Sequence, residues 1–273
     1  MRLLREVMAR LWRTRSLMMV SAVIDKTKLE KFLYNDPVWC CYMIGDLDEP
    51  FATSAKWSSA AAPDGGYSGV VLVFSMYSPA TVMSYGDTPA IDAILRTDGI
   101  PDRPYCHLPV EHEKVFRERF DLRKTETMRR MFLRIGNFTP VRADQPVRLS
   151  VDDIPAMTEL YEHYPGHFFD PRQVAHGVYY GVRENGSLVS VAGTHIFNKK
   201  RKLAMLGNIV THRNYRGKGM ATACTSKLVQ ELFKNVDLVC LNVSDANAPA
   251  VRSYEKLGFA THTKYIEGQA RKK

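Results

Sequence analysis

Residues 210–221 read Val-Thr-His-Arg-Asn-Tyr-Arg-Gly-Lys-Gly-Met-Ala. The composition of this stretch suits the binding of a pyrophosphate. Gly217 and Gly219 can take backbone angles that side chains forbid, so successive N–H groups can converge on one concavity. If a helix opens at this point, its N-terminus adds the positive end of the peptide dipoles. Gly219 has no side chain to hold a ligand off the backbone. Neither G-x-G-x-x-G nor G-x-x-x-x-G-K-[ST] occurs here, so the segment matches neither the common dinucleotide cradle nor the common nucleotide triphosphate cradle. A second group follows, Asn247-x-x-Ala250-x-x-x-Tyr254-x-x-x-Gly258-Phe259. Steps of three and four put Asn247, Ala250 and Tyr254 on one helix face.

The surrounding pattern supplies elements to position both groups. Leu203–His212 reads as a strand leading into the glycine turn, and Gly217–Lys234 as the helix leaving it. Leu238–Ser244 is a near-continuous apolar run, as expected of a buried central strand. Asn247–Leu257 reads as a helix closed by Gly258. Upstream, Val147–Val151 reads as a strand. Asp152 or Asp153 can cap a helix to about Tyr164, with Ile154, Met157, Leu160 and Tyr161 on one face. Val178–Arg183 and Ser187–Phe197 flank Asn185-Gly186, a strong hairpin signal. Thr261–Ile266 reads as a last strand. The second half thus runs β-α-(α)-β-β-β-α-β-α-β, an α/β (α+β) arrangement with a mixed sheet and helices on both faces.

In this order and on these elements, the two motifs resemble the GNAT superfamily of acyl-CoA-dependent N-acyltransferases. The resemblance covers about Val147–Gly268. It implies a GNAT fold in the C-terminal half and acetyl-CoA, or another acyl-CoA, as co-substrate. The backbone of Arg216, Gly217, Lys218, Gly219, Met220 and Ala221 would hold the pyrophosphate, with the Thr222 hydroxyl beside it. The strand edge at Asn208, Ile209 and Val210 would pair with the pantetheine arm, and an N–H there would hold the thioester carbonyl. Asn247 would contact the pantetheine or neighbouring backbone, and Tyr254 would lie near the CoA sulfur. The implied reaction is direct attack of a primary amine, on a small molecule or amino acid, through a tetrahedral intermediate. A tyrosine near pKa 10 protonates a thiolate near 8.5 at a cost of about 2 kcal/mol, which suits Tyr254 as the acid. Its other reading is a packed helix tyrosine.

Relatives often carry a carboxylate base on the strand before the phosphate loop, but here that strand has no Asp or Glu, and Met205 stands near the expected place. The remaining bases are His195, His212, the Glu162–His167 segment, or a water relay. Tyr161, Tyr164, His167, Phe168 and Phe169 could form an aromatic acceptor pocket or simply pack between helices. A non-catalytic acyl-CoA-binding regulator is the alternative function.

In the first half, Lys28–Tyr34, Pro37–Leu47, Pro89–Arg96 and Val110–Phe120 read as helices, and Tyr67–Met76, Thr81–Tyr85 and Glu126–Ile135 as strands. A similar helix-rich start followed by strands resembles the glycine N-acyltransferase-like members with a degenerate GNAT-like N-terminal domain. The first half lacks R-x-x-G-x-[GA], so one cofactor site is expected. The expected domains are an extension at 1–19, a diverged GNAT-like domain at 20–140 and a catalytic domain at 147–273, joined across the Pro140–Pro146 stretch.

Composition narrows the function classes. Hydrophobic residues make up 45% and charged residues 25%, enough to build a core. Arg2, Arg5, Arg10, Arg13 and Arg15 against Glu6, with Arg271, Lys272 and Lys273, carry +7 of the net +9. Basic charge confined to the tails argues against a nucleic-acid face. No apolar run approaches a membrane span. Five cysteines, without CxxC spacing, argue against a metal site or a disulfide scaffold and favour the cytoplasm. Leu3, Leu4, Val7, Met8, Leu11 and Trp12 recur at helical spacing. That segment reads as a start-site artefact, with the natural start at Met18 or Met19, or as a short docked helix. A transit peptide or a membrane-surface helix is the other alternative. Oligomeric state is open, a homodimer included.

Overall fold

The computed structural model describes residues 19–141, 144–164 and 168–273. The expected extension up to residue 18, residues 142–143 of the Pro-rich stretch and residues 165–167 of the aromatic segment lie outside the described residues. The chain divides into two compact units. One is Met1–Met128 with Lys264–Lys273, and the other is Arg129–Thr263.

The first unit contains β1 (Val20–Ser21), α1 (Lys26–Leu33), α2 (Cys41–Gly45), β2 (Ala55–Ala61), β3 (Tyr67–Phe74), β4 (Thr81–Gly86), α3 (Thr88–Leu95), β5 (Tyr105–Pro109), α4 (Glu113–Arg119) and the start of β6 (Phe120–Arg134). Asp25 caps α1 by accepting from the N–H groups of Thr27 and Lys28. Strands β1 to β4 pair antiparallel in sequence order, and β4 pairs β5 in parallel. Ile91, Ile94, Phe116 and Leu108 pack between the helices and one face of this sheet. Three strands were not anticipated, the two-residue Val20–Ser21 among them. Ala55–Ala61 is rich in Ala and Ser, and pairing with β3 overrides that weak strand preference. Tyr105–Pro109 is short. The helix expected over Pro37–Leu47 is confined to Cys41–Gly45. The one expected over Val110–Phe120 starts as a 3-10 turn.

The second unit holds β7 (Val147–Leu149), α5 (Ile154–Glu162), α6 (Arg172–His176), β8 (Tyr179–Glu184), β9 (Ser187–Asn198), β10 (Leu203–Thr211), α7 (Met220–Leu232), β11 (Leu238–Ser244), α8 (Ala248–Lys256) and the start of β12 (Ala260–Lys272). Ser150 and Asp153 form a capping box ahead of α5. Asn185 and Gly186, at φ 50° and 84°, turn β8 into β9. Strand order runs β7-β8-β9-β10-β11-β6, with β10 and β11 parallel. Leu228, Val229 and Leu232 of α7 and Val251 and Leu257 at α8 pack on Ala204, Leu206, Val239 and Leu241. Met157, Leu160 and Tyr161 of α5 and Val174 of α6 pack on the opposite face. Full burial of each such side chain contributes about 1.5–3 kcal/mol. The result is the mixed α/β sheet, covered on both faces, that the alternation of elements predicts.

Both units follow the order β-α-α-β-β-β-α-β-α-β. Each also repeats three antiparallel pairings and one parallel pairing. The last strand of each repeat is divided: β6 ends in the second unit, and β12 ends in the first, where Tyr265–Gln269 pair with β5. The compact units are therefore cut inside strands, not in the Pro-rich stretch, because ladder pairing follows the strand and not the linker.

Candidate functional site

The glycine turn is built as its sequence suggests. His212 ends β10, and its Nδ1 accepts from the Asn214 N–H at 3.4 Å over the 3-10 turn Arg213–Tyr215. Arg216 is extended. Gly217 and Gly219 are left-handed at φ 78° and 79°, and α7 starts at Met220. A Cβ at either glycine would meet nothing within 4 Å. Backbone conformation, not crowding, therefore requires glycine here, and the space above the N–H groups is open. The first turn of α7 has no acidic side chain. Arg216 donates from Nε to the Thr211 carbonyl at 3.2 Å, and its guanidinium lies 5.1 Å from the Tyr164 ring centre. The Lys218 ammonium lies 5.1 Å from the Tyr215 ring centre. The cationic side chains flank the turn without filling it, and Thr222 is partly exposed in the first turn of α7. The residues present fit a diphosphate. The corresponding corner of the first unit differs: β4 passes to α3 through Asp87 alone, so a carboxylate stands at that helix N-terminus.

Beyond Met205–Cys240 the register of β10 with β11 ends. Over the same stretch β10 bulges against β9. Gly207 faces Gly193 and Val210 faces Val191, so Asn208 and Ile209 stand opposite Ala192 alone. Asn208 takes φ 54°, a conformation that asparagine tolerates better than most residues. The bulge resets the alternation: Leu206 and Ile209 pack with α7 and α8, while Val210 packs with α5 and α6. Asn208 is 7% exposed. Its Nδ2 donates to Gln173 Oε1 at 2.7 Å and to Tyr179 Oη at 3.1 Å, and Tyr161 Oη donates to its carbonyl.

Met205 is fully buried, and Arg130 Nη1 from β6 lies 3.5 Å from its sulfur. Among the described residues β10 carries no carboxylate. His195 is the extra residue of a second bulge, on β9 between Thr194 and Ile196. Its ring lies across Gly207, where a Cβ would come 2.1 Å from Nε2. His212 follows β10, five residues beyond Gly207 and across the bulge, roughly 10–16 Å at strand rise. The two histidines therefore do not share one reacting centre. His212 belongs to the glycine turn, edge-on to His163 and Tyr215.

Asn247 caps α8, with Oδ1 accepting from the Ala250 N–H at 3.2 Å. Tyr254 is 8% exposed, edge-on to Phe259, within the core shared by α7 and α8. Burial raises its pKa well above that of an ordinary tyrosine, so the hydroxyl stays protonated. In the aromatic segment, Tyr161 stacks on Phe169 at 4.4 Å. Tyr164 Oη donates to the Thr211 carbonyl at 2.9 Å, and Phe168 is exposed. Tyr161 and Tyr164 of this segment brace β10 up to the glycine turn, and His167 lies outside the described residues. Sequence reading missed the Asn208 side chain, Gln173 and Tyr179. The available signal was Gly207-Asn208 inside an apolar strand, a pair that marks a bulge.

No group of metal-ligating side chains occurs among the described residues, and no helix among them is long and apolar enough to cross a membrane. Residues 147–259 match the model of the acetyltransferase (GNAT) family. No curated protein matches the chain. A putative GNAT-family acetyltransferase from Novosphingobium aromaticivorans is 20% identical over 87% of this chain and 97% of its own, with a TM-score of 0.59. A Drosophila protein is 10% identical over 92% and 99%, with a TM-score of 0.67. A tandem GNAT protein from the clavulanic acid biosynthesis pathway is 12% identical over 94% and 98%, with a TM-score of 0.56. At these identities the likeness shows the fold.

Proposed function

Starting from a GNAT acetyltransferase domain at residues 147–259, we propose that the protein transfers an acyl group, acetyl first among them, from acyl-CoA to a primary amine of a small molecule or amino acid. The observation that carries this reading is the pair of left-handed glycines at the open N-terminus of α7, next to a strand that leaves its parallel partner and bulges. The turn from Arg216 to Ala221 would hold the pyrophosphate. The edge at Asn208, Ile209 and Val210 would pair with the amide-bearing arm. The co-substrate supplies the acyl group as a thioester. A fixed backbone N–H at the bulge would stabilise the charge that grows on the acyl oxygen as the amine attacks. Tyr254 would give its proton to the departing thiolate, at a cost above that of an ordinary tyrosine because burial raises its pKa. His195, beside the bulge, or a water relay would take the amine proton. Residues 20–140 would be the diverged repeat, and 147–273 the repeat that keeps the cofactor turn. The odd count of cysteines, without CxxC spacing, supports a reducing compartment such as the cytoplasm.

Calorimetric titration with acetyl-CoA, with CoA as control, tests the binding half. Micromolar binding is expected, followed by CoA release with one member of a panel of amines and amino acids. Binding of neither ligand would overturn the reading. One observation favours a second reading, an acyl-CoA-binding regulator: the full burial of Met205 where relatives place an acid. Sustained CoA release in the amine panel excludes it.

A further inference from the structure

We propose that Asn208 is a positioning residue whose side chain, with Tyr161, locks the β10 bulge so that its N–H is already aimed at the acyl carbonyl. The proposal rests on the acyl-CoA reading above and deepens it.

Three elements grip this one residue. Tyr161 of α5 donates to its carbonyl. Gln173 of α6 and Tyr179 of β8 each accept one hydrogen of its Nδ2. Both hydrogens of the Asn208 Nδ2 thus have acceptors. The Tyr179 hydroxyl accepts from Asn208 and donates onward to the Thr194 carbonyl at 3.2 Å. Gln173 Oε1 also accepts from the Asp170 N–H at 3.2 Å, which fixes the turn into α6. Gly193 makes the arrangement possible, because a Cβ there would lie 2.0 Å from the Tyr179 ring. Asn208, Gln173, Tyr179 and Tyr161 are all buried. Burial also holds the Tyr161 hydroxyl protonated, and therefore a donor.

The consequence follows from peptide geometry. In a planar trans peptide the carbonyl and the next N–H point in opposite directions. Tyr161, by holding the Asn208 carbonyl, therefore fixes the direction of the Ile209 N–H. A strand bulge that has left one neighbour is otherwise free to turn that peptide plane. A donor that must reorient during reaction stabilises developing charge less than one already aimed. The cluster has a cost, since a left-handed asparagine and four buried polar side chains must all be satisfied. A plain apolar strand would serve packing alone with less polar burial.

The test uses the full chain and two probes that differ at the carbonyl, acetyl-CoA and its thioether analogue S-ethyl-CoA. Wild type should bind acetyl-CoA more tightly, and the infrared stretch of its ¹³C-labelled carbonyl should fall on binding. Tyr161→Phe and Asn208→Gly, the latter keeping the left-handed backbone, should each weaken acetyl-CoA about tenfold. The carbonyl stretch should return toward its free value, with S-ethyl-CoA affinity falling clearly less than acetyl-CoA affinity. Equal weakening of both probes would mean a merely structural role and would overturn the proposal. An unchanged carbonyl stretch in both variants would overturn it as well. Wild type that binds neither probe would instead remove the acyl-CoA reading itself. Should Asn208→Gly fail to fold, Tyr161→Phe decides alone, because it removes only a hydroxyl.

Discussion

Gly217 and Gly219 occupy left-handed backbone positions with open space above them, so substitution at either acts through conformation. Gly219→Ala imposes roughly 1–2 kcal/mol of backbone strain. Acetyl-CoA affinity should fall about tenfold in calorimetry, with little change in the unfolding midpoint if the turn relaxes. Tyr254 is the opposite kind of residue, buried in a core and kept neutral. Tyr254→Phe keeps the packing and removes the proton. CoA release should slow at least tenfold while acetyl-CoA affinity stays within about twofold. Unchanged turnover would leave Tyr254 as a packing residue only.

At the scale of elements, two glycines let neighbouring strands carry rings across their backbones. Gly193 lies under Tyr179, and Gly207 under His195. A methyl group at Gly193 must displace a buried ring, and overpacking of this kind costs about 1–3 kcal/mol. Gly193→Ala should therefore lower the midpoint of thermal unfolding and weaken acetyl-CoA binding together, because the same ring accepts from Asn208. Gly207→Ala should spare more stability, since His195 is only partly buried. Much of this level was legible in sequence. Asn185-Gly186 marked its hairpin, the apolar run 238–244 its central strand, and Gly258 the end of α8. The bulges were not, because they arise from a mismatch between two paired strands and neither strand shows it alone.

For the whole chain, the divided strands matter most. The fragment 147–273 lacks Met131 and Leu133, two fully buried members of the α7–α8 core. It should show weak near-ultraviolet circular dichroism and non-cooperative unfolding, although it contains both cofactor motifs. Removal of 264–273 should unfold the first unit, because Tyr265 and Ala270 are buried there and Glu267 pairs with His107 at 3.1 Å. The first unit should also be sensitive to acid. His112 is fully buried between the Ser84 hydroxyl and the Gly86 carbonyl, and burial pushes its pKa below the ordinary histidine value. The folded state thus favours the neutral ring. That stabilisation is complete above about pH 6.5 and is lost as pH falls below it. Chemical unfolding across this range should show a steeper decline for wild type than for His112→Gln, and equal slopes would refute the assignment.

The sequence by itself determined the order of elements in the second half, the left-handed glycine turn and the missing strand carboxylate. Each of these depends on local residue type: glycine where φ is positive, asparagine at a cap, apolar period where a face is covered. Only the tertiary structure decided which strand completes which unit, how Asn208 is gripped from three elements, and that His195 and His212 stand apart. Those outcomes depend on residues far apart in the chain meeting across a ladder or a core. Neither the spacing nor the composition of a single segment encodes such a meeting.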